Sequence, residues 1–170
     1  GIAVTVLEAD VCAGGGSGNL QVVTYTLLSH RHNPLSDFSV AAFSYATDHY
    51  RRLYRSGALR DNLDIGWGGY IQLHDPDETL EHLASVLGLA PDFARVLSAD
   101  EISDIIGMQP RCGGIHYLRG GWLDPRAVCR SLLAHPLITL REQCGPVQLR
   151  QLSNDAWQAS NTSGEVLCEA

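Results

Sequence analysis

The first ten residues constrain this chain more than any later segment. Ile2-Ala3-Val4-Thr5-Val6-Leu7 is rich in β-branched residues and runs straight into Glu8-Ala9-Asp10, which is the pattern of an interior strand with a carboxylate at its tip. In folds that bind dinucleotides, the acid ending the second parallel strand accepts hydrogen bonds from ribose hydroxyls. The glycine turn that cradles the pyrophosphate belongs about 20 residues before that acid. Only seven residues precede Glu8, and no G-x-G-x-x-G occurs anywhere in the 170 residues. At the far end, Gly164-Glu165-Val166-Leu167-Cys168 reads as a strand just starting. The expectation is a piece of a larger protein. Its strands over residues 2–7 and 166–168 would then be orphaned, with open edges that favour association of copies into a homo-oligomer.

A loop with four glycines in five positions follows, Gly14-Gly15-Gly16-Ser17-Gly18. Such a loop either lets backbone approach a ligand closely or is plain surface. Pro34 opens a helix to about residue 56, with Phe38, Ala41, Ala42, Tyr45, Ala46 and Leu53 at helical spacing. Arg51, Arg52 and Arg55 suit the carboxyl end of the helix dipole, and Gly57 is a stop. Residues 65–73 read as one strand broken by Gly66, Gly68 and Gly69. Further helices are expected over residues 75–87, from the Ser98–Glu101 capping box to Gly107, and over 126–134 after Asp124-Pro125. Strands are expected over residues 112–118, 138–140, 147–152, 156–159 and 166–167.

Hydrophobic residues make up 45% and charged residues 18%, a globular balance that excludes disorder. No apolar run is long enough to span a membrane, and the amino terminus has no signal-peptide pattern, so a cytoplasmic protein is expected. A net charge of −7 argues against nucleic-acid binding by the whole surface, though not by a local arginine patch. The five cysteines are scattered, with no CxxC, and read as reduced thiols. No HExxH and no clustered carboxylates occur, so no metal site is expected. Ser17 fails as a nucleophile elbow because Asn19 stands where glycine belongs. No catalytic residue can be assigned from spacing. Gly68-Gly69 and Gly113-Gly114 each precede an aromatic-bearing strand; these pairs could wall a flat ligand or simply fill a core.

The motifs taken in order resemble one family. They are strand-tip Glu8, Ser17-Gly18-Asn19-x-Gln21, Tyr25, Ala42-Phe43-x-Tyr45-Ala46, Tyr50-Arg51, Ile71-Gln72-Leu73, Gly113-Gly114, Gly121-Trp122-Leu123-x-Pro125 and Cys129-Arg130-x-Leu132-Leu133. The series is similar to the FAD-dependent C-terminal domain of the bacterial bifunctional enzyme that makes 5-methylaminomethyl-2-thiouridine in tRNA, a domain related to glycine oxidase and D-amino-acid oxidase. The likeness covers nearly the whole chain. It implies FAD-dependent removal of carboxymethyl from 5-carboxymethylaminomethyl-uridine at the wobble position, with S-adenosylmethionine used only by a separate methyltransferase domain. It implies that Glu8 binds the adenosine ribose, that Ser17, Gly18, Asn19 and Gln21 lie along the flavin side, and that the Val147 backbone touches the adenine. Tyr70, Gln72 and Trp122 would serve the substrate.

Val22 stands where family members usually carry glycine, and Val23-Thr24 replaces a smaller pair; a β-branched side chain there would crowd a flavin. The implied fold class is α+β: a substrate-binding domain of a D-amino-acid-oxidase-like flavoprotein, with partial FAD-binding Rossmann elements at both ends. The expected division is residues 1–33, 34–136 and 137–170. Two other readings stay open: a small-molecule amine oxidase of the same fold, and a recognition module without activity. Without the glycine turn, the isolated chain is expected not to hold FAD.

Overall fold

Local sequence rules build the longest element. In α1 (Pro34–Arg55), the Asn33 side chain accepts a hydrogen bond from the Ser36 N–H, and proline occupies the first turn, where no amide is needed. Ser36, Phe43 and Thr47 form the buried face. The helix ends at Ser56, and Gly57 takes φ +78°, as a left-handed terminator. The computed structural model describes residues 1–28, 33–74, 92–153 and 155–169. The helix expected over residues 75–87, and His30 and His32, lie outside them.

The described chain divides into two compact units, residues 21–124 and residues 1–20 with 125–170. These boundaries differ from the expected divisions near residues 33 and 136 for two reasons. Val22–Thr24 pairs with a strand near residue 122, and the helix after Asp124 packs on a strand of the terminal unit.

In the central unit, β2 (Val22–Thr24), β7 (Gly121–Leu123) and β3 (Ile65–Gly66) form an antiparallel sheet in the order β2-β7-β3. A second antiparallel sheet runs β4 (Tyr70–Leu73), β6 (Gly114–Tyr117), β5 (Ala94–Leu97). Residues 65–73 are therefore two strands in different sheets rather than one bulged strand, because Gly69 turns the backbone through φ +79°. The core cluster is Ala94, Ile115 and Tyr117, with Leu28, Tyr70, Phe93 and Val96 packed against it. Phe43 of α1 meets Phe93 edge-on at 5.6 Å. Helix α2 (Ala99–Ile106) carries the full capping box. The Ser98 side chain accepts from the Glu101 N–H, the Glu101 carboxylate accepts from the Ser98 N–H, and Gly107 ends the helix at φ +70°.

In the terminal unit, β1 (Val4–Leu7) and β8 (Ile138–Arg141) pair in parallel, and helix α3 (Pro125–Leu133) precedes β8. An antiparallel meander follows, β9 (Val147–Gln151), β10 (Trp157–Asn161) and β11 (Val166–Glu169). The two strands expected to be orphaned both have partners: β8 returns beside β1, and β11 folds back on β10. The partner of β1 lies far along the chain, a long-range return that hydrophobic periodicity does not show, whereas β11 pairs with β10 across the short turn that follows Asn161.

Candidate functional site

The tip of β1 is held by its neighbour. Beyond the ladder, the Cys144, Gly145 and Gln143 amides donate to the Glu8, Ala9 and Asp10 carbonyls at 3.0, 2.9 and 2.7 Å. The Glu8 carboxylate accepts the Asp10 N–H through Oε1 at 3.0 Å, the one hydrogen bond of that side chain among the described residues. A half-buried carboxylate oriented in this way, with Oε2 uncommitted, suits a vicinal diol. The Cys12 N–H donates to Glu142 Oε1 at 2.6 Å. The Cys12 thiol pKa is raised, first by burial, then by the neighbouring Cys129 and Glu142, so it stays protonated near neutrality.

Two tight turns shape the glycine loop, with the Gly14 N–H donating to the Val11 carbonyl and the Gly18 N–H to the Gly15 carbonyl. A Cβ on Gly18 would sit 2.9 Å from the Gly14 and Gly15 carbonyl oxygens, whereas Gly15 and Gly16 face open space. The turn thus requires glycine at 18, and an Arg126 guanidinium nitrogen from α3 donates to its carbonyl. Glu8, Ser17, Gly18, Asn19 and Val147 belong to the terminal unit, and Gln21 to the central one. Val147 opens β9 opposite Asn161. Val22 is absorbed into β2, opposite Leu123, which accounts for a β-branched residue at that position.

The central unit contains a cleft of about 410 Å³. Gly68, Gly69, Tyr70, Ile71 and Leu73 line one side, and Ile102, Ile105 and Ile106 of α2, with Val23, Gly121 and Trp122, complete it. Tyr70 and Trp122 are therefore brought to one cavity, and Gln72, opposite Ile115 in the register, is not in its lining. Tyr70 stacks on Tyr117 at 5.8 Å, and burial raises the Tyr117 hydroxyl pKa to about 12. The three isoleucines of α2 were missed from sequence; their amphipathic spacing behind the capping box was the available signal.

The glycine pairs separate by role. A Cβ on Gly113, Gly114 or Gly121 would strike the carbonyl of Leu97, Gln72 or Gly66 on the adjacent strand, so these are packing devices. Gly68 and Gly69 line the cleft. Beneath Gly69 lies His116, 7% exposed, with neither ring nitrogen in a well-formed hydrogen bond. Burial, then the Arg95 charge, hold its pKa below the ordinary imidazole value, against a smaller opposing effect of the Gly68 carbonyl. Among the described residues, no nucleophile–base pair lines the cleft. Such a site can orient an apolar or flat group, but needs a cofactor to carry redox chemistry. Among the described residues, no three His, Cys, Asp or Glu side chains come together as a metal site.

The family model for FAD-dependent oxidoreductases (DAO) matches residues 1–170. The chain belongs to this family. Solved structures agree on the fold. The DAO chain superposes on NikD, an unusual amino acid oxidase essential for nikkomycin biosynthesis, with TM-score 0.60 and 21% identity over 95% of this chain and 42% of that one. It superposes on iminodiacetate oxidase (IdaA) from Chelativorans sp. BNC1 with TM-score 0.65 and 17% identity, over 99% of this chain and 47% of that one. A thermally stable mutant of fructosyl peptide oxidase gives TM-score 0.64 and 18% identity, over 97% and 41%. The chain spans less than half the length of each of these proteins. The residues present fit the adenosine end of FAD: an oriented strand-tip carboxylate, and beside it a glycine loop with open space at Gly15 and Gly16.

Proposed function

We propose that the chain is part of an FAD-dependent oxidoreductase that removes carboxymethyl from 5-carboxymethylaminomethyl-(2-thio)uridine at the wobble position of tRNA. One observation carries the reading. Gly121-Trp122-Leu123, among the more specific pieces of the motif series, forms β7, and Trp122 lines with Tyr70 a cleft roomy enough for a flat base. FAD, when bound, supplies the acceptor for a hydride from the N–CH2 carbon of the substrate. Water then adds to the resulting imine, and its hydrolysis releases the free 5-aminomethyl group and glyoxylate. Glu8 would hold the adenosine ribose, Ser17, Gly18, Asn19 and Gln21 the flavin side, and the Val147 backbone the adenine. The apolar cleft walls orient the nucleoside.

Methylation of the product from S-adenosylmethionine belongs to a separate domain, and the enzyme works in the cytoplasm, where its tRNA partner resides. Without a glycine turn for the pyrophosphate, the 170 residues alone are expected to retain no FAD and to turn over no substrate.

A second reading, oxidation of a small amine, has its own support. Arg60 is clamped by Asp64 at 2.7 Å, and Arg51 lies 4.8 Å over the Trp67 ring, so two arginines available for a basic rim are engaged within the fold. The test is anaerobic mixing of the complete FAD-loaded protein with tRNA lacking the final modification, or with iminodiacetate or glycine. Flavin bleaching with tRNA alone, and loss of carboxymethyl from the wobble nucleoside, are expected. Bleaching only by the small amines would replace the tRNA reading with the second one.

A further inference from the structure

The solvent face of α1 carries an ordered column of side chains that the proposed chemistry does not use. Phe38, Tyr45, His49 and Arg52 recur at spacings of seven, four and three along the helix, and therefore share one face. That face is opposite the buried Ser36, Phe43 and Thr47. Phe38 is 71% and Tyr45 72% exposed, a large apolar outlay for a surface helix. The Tyr45 and His49 rings are parallel within 1°, with centroids 6.4 Å apart. An Arg52 guanidinium nitrogen lies 3.4 Å from His49 Nδ1, which extends the column by a cation.

Charge decides what such a face takes. Arg51, Arg52 and Arg55 gather at the carboxyl end of α1, and none of them forms an ion pair with a carboxylate among the described residues. Asp37 and Asp48 flank the column on one side, nearer its middle and amino end. A protein helix seated here would meet an apolar stripe that stops at Tyr45 and gives way to His49, Arg52 and Ser56. Aromatic rings followed by arginines that have no carboxylate partner among the described residues instead match unstacked bases followed by phosphates. We propose that the Phe38–Tyr45–His49–Arg52 column of α1 is a stacking surface for unpaired nucleotides of an RNA loop, with Arg52 and Arg55 on the flanking phosphates. The proposal rests on the tRNA reading above and adds to it a binding surface formed by α1.

The test uses the complete FAD-loaded protein and two RNA probes of equal length, an anticodon stem-loop and a fully paired hairpin with a minimal turn. Binding is measured at several salt concentrations, and turnover is measured on both the stem-loop and the free carboxymethylaminomethyl nucleoside. Tyr45→Ala is expected to weaken stem-loop binding about tenfold or more, and Tyr45→Phe to restore it, with turnover of the free nucleoside unchanged in both. Arg52→Ala and Arg55→Ala are expected to flatten the salt dependence. Wild-type stem-loop affinity in Tyr45→Ala and Phe38→Ala would overturn this surface and leave the tRNA reading standing. Absence of stem-loop binding by the wild type, with turnover of small amines, would overturn the reading on which it rests. A change of oligomeric state in Tyr45→Ala, with RNA binding intact, would assign the column to a protein contact and sink the proposal.

Discussion

Asp64 shows how one buried charge is held. It is 5% exposed, yet Oδ2 accepts from the Arg60 backbone N–H at 2.8 Å and from Nε at 2.7 Å, while Oδ1 accepts from Nη2 at 2.8 Å. These bonds, the Arg60 side chain first, hold its pKa below the ordinary aspartate value against the cost of burial. The carboxylate therefore contributes stability above that ordinary value, and the contribution is lost as pH falls through the lowered one. Asp64→Ala is expected to cost about 1–3 kcal/mol in urea unfolding at neutral pH, because it strands the donors of the 60–64 loop; an unchanged midpoint would show that water replaces the clamp. His116 titrates the other way round chemically but with the same sign. Its lowered pKa keeps the folded imidazole neutral while the unfolded one protonates, so stability falls as pH drops below the ordinary histidine range. His116→Phe is expected to shrink the difference in unfolding midpoint between pH 7.5 and 5.5 (assay conditions chosen around about 6.5). On the proposed tRNA reading, Trp122→Ala is expected to raise KM for the wobble nucleoside about tenfold, and Trp122→Phe to recover most of it; equal KM values would remove Trp122 from the site.

At the scale of elements, α2 makes the plainest case. Its first turn was legible from Ser98 and Glu101 alone, and the reciprocal bonds are present at 3.2 and 2.7 Å. Because the same helix presents Ile102, Ile105 and Ile106 to the cleft, its cap also positions one cleft wall. Ser98→Ala is expected to cost about 1 kcal/mol of stability, seen as a lower Tm, and a Tm equal to wild type would mean that packing alone fixes α2. The start and stop of α1 were legible too, from Pro34 and Gly57. The short strands β2, β5 and β7 were not, since their few residues neither alternate clearly nor sit in a longer β-rich run. Their existence depends on partners: Val22 on Leu123, Ala94 on Tyr117.

For the whole molecule, the parallel β1–β8 pair forms a sheet of two strands, each with one edge unoccupied by any other described strand. Val4 on β1 is exposed there. Unpaired edges of this kind template association, and light scattering is expected to show mass rising with concentration, reduced by Val4→Lys. A constant monomer mass across concentrations would show that the edges are protected. The isolated chain is also expected to emerge from gel filtration without flavin absorbance, and a retained yellow band would overturn that expectation. Among the described residues, no helix is long and apolar enough to cross a membrane.

By itself, the sequence determined what nearest neighbours along the chain can decide. The β-rich run into Glu8, the capped helices and the left-handed glycines all rest on backbone preferences and hydrogen bonds that span only a few residues. It also carried ordered motifs that point to the FAD-dependent oxidoreductase family to which the chain belongs. Tertiary structure alone decided the partner of β1, the split of residues 65–73 between two sheets, and the different roles of glycine pairs that read alike. It alone gathered Tyr70, Trp122 and the isoleucines of α2 around one cleft. Those outcomes depend on contacts between residues tens of positions apart, where the space beside a glycine or the partner of a strand is set by a segment that local pattern does not name.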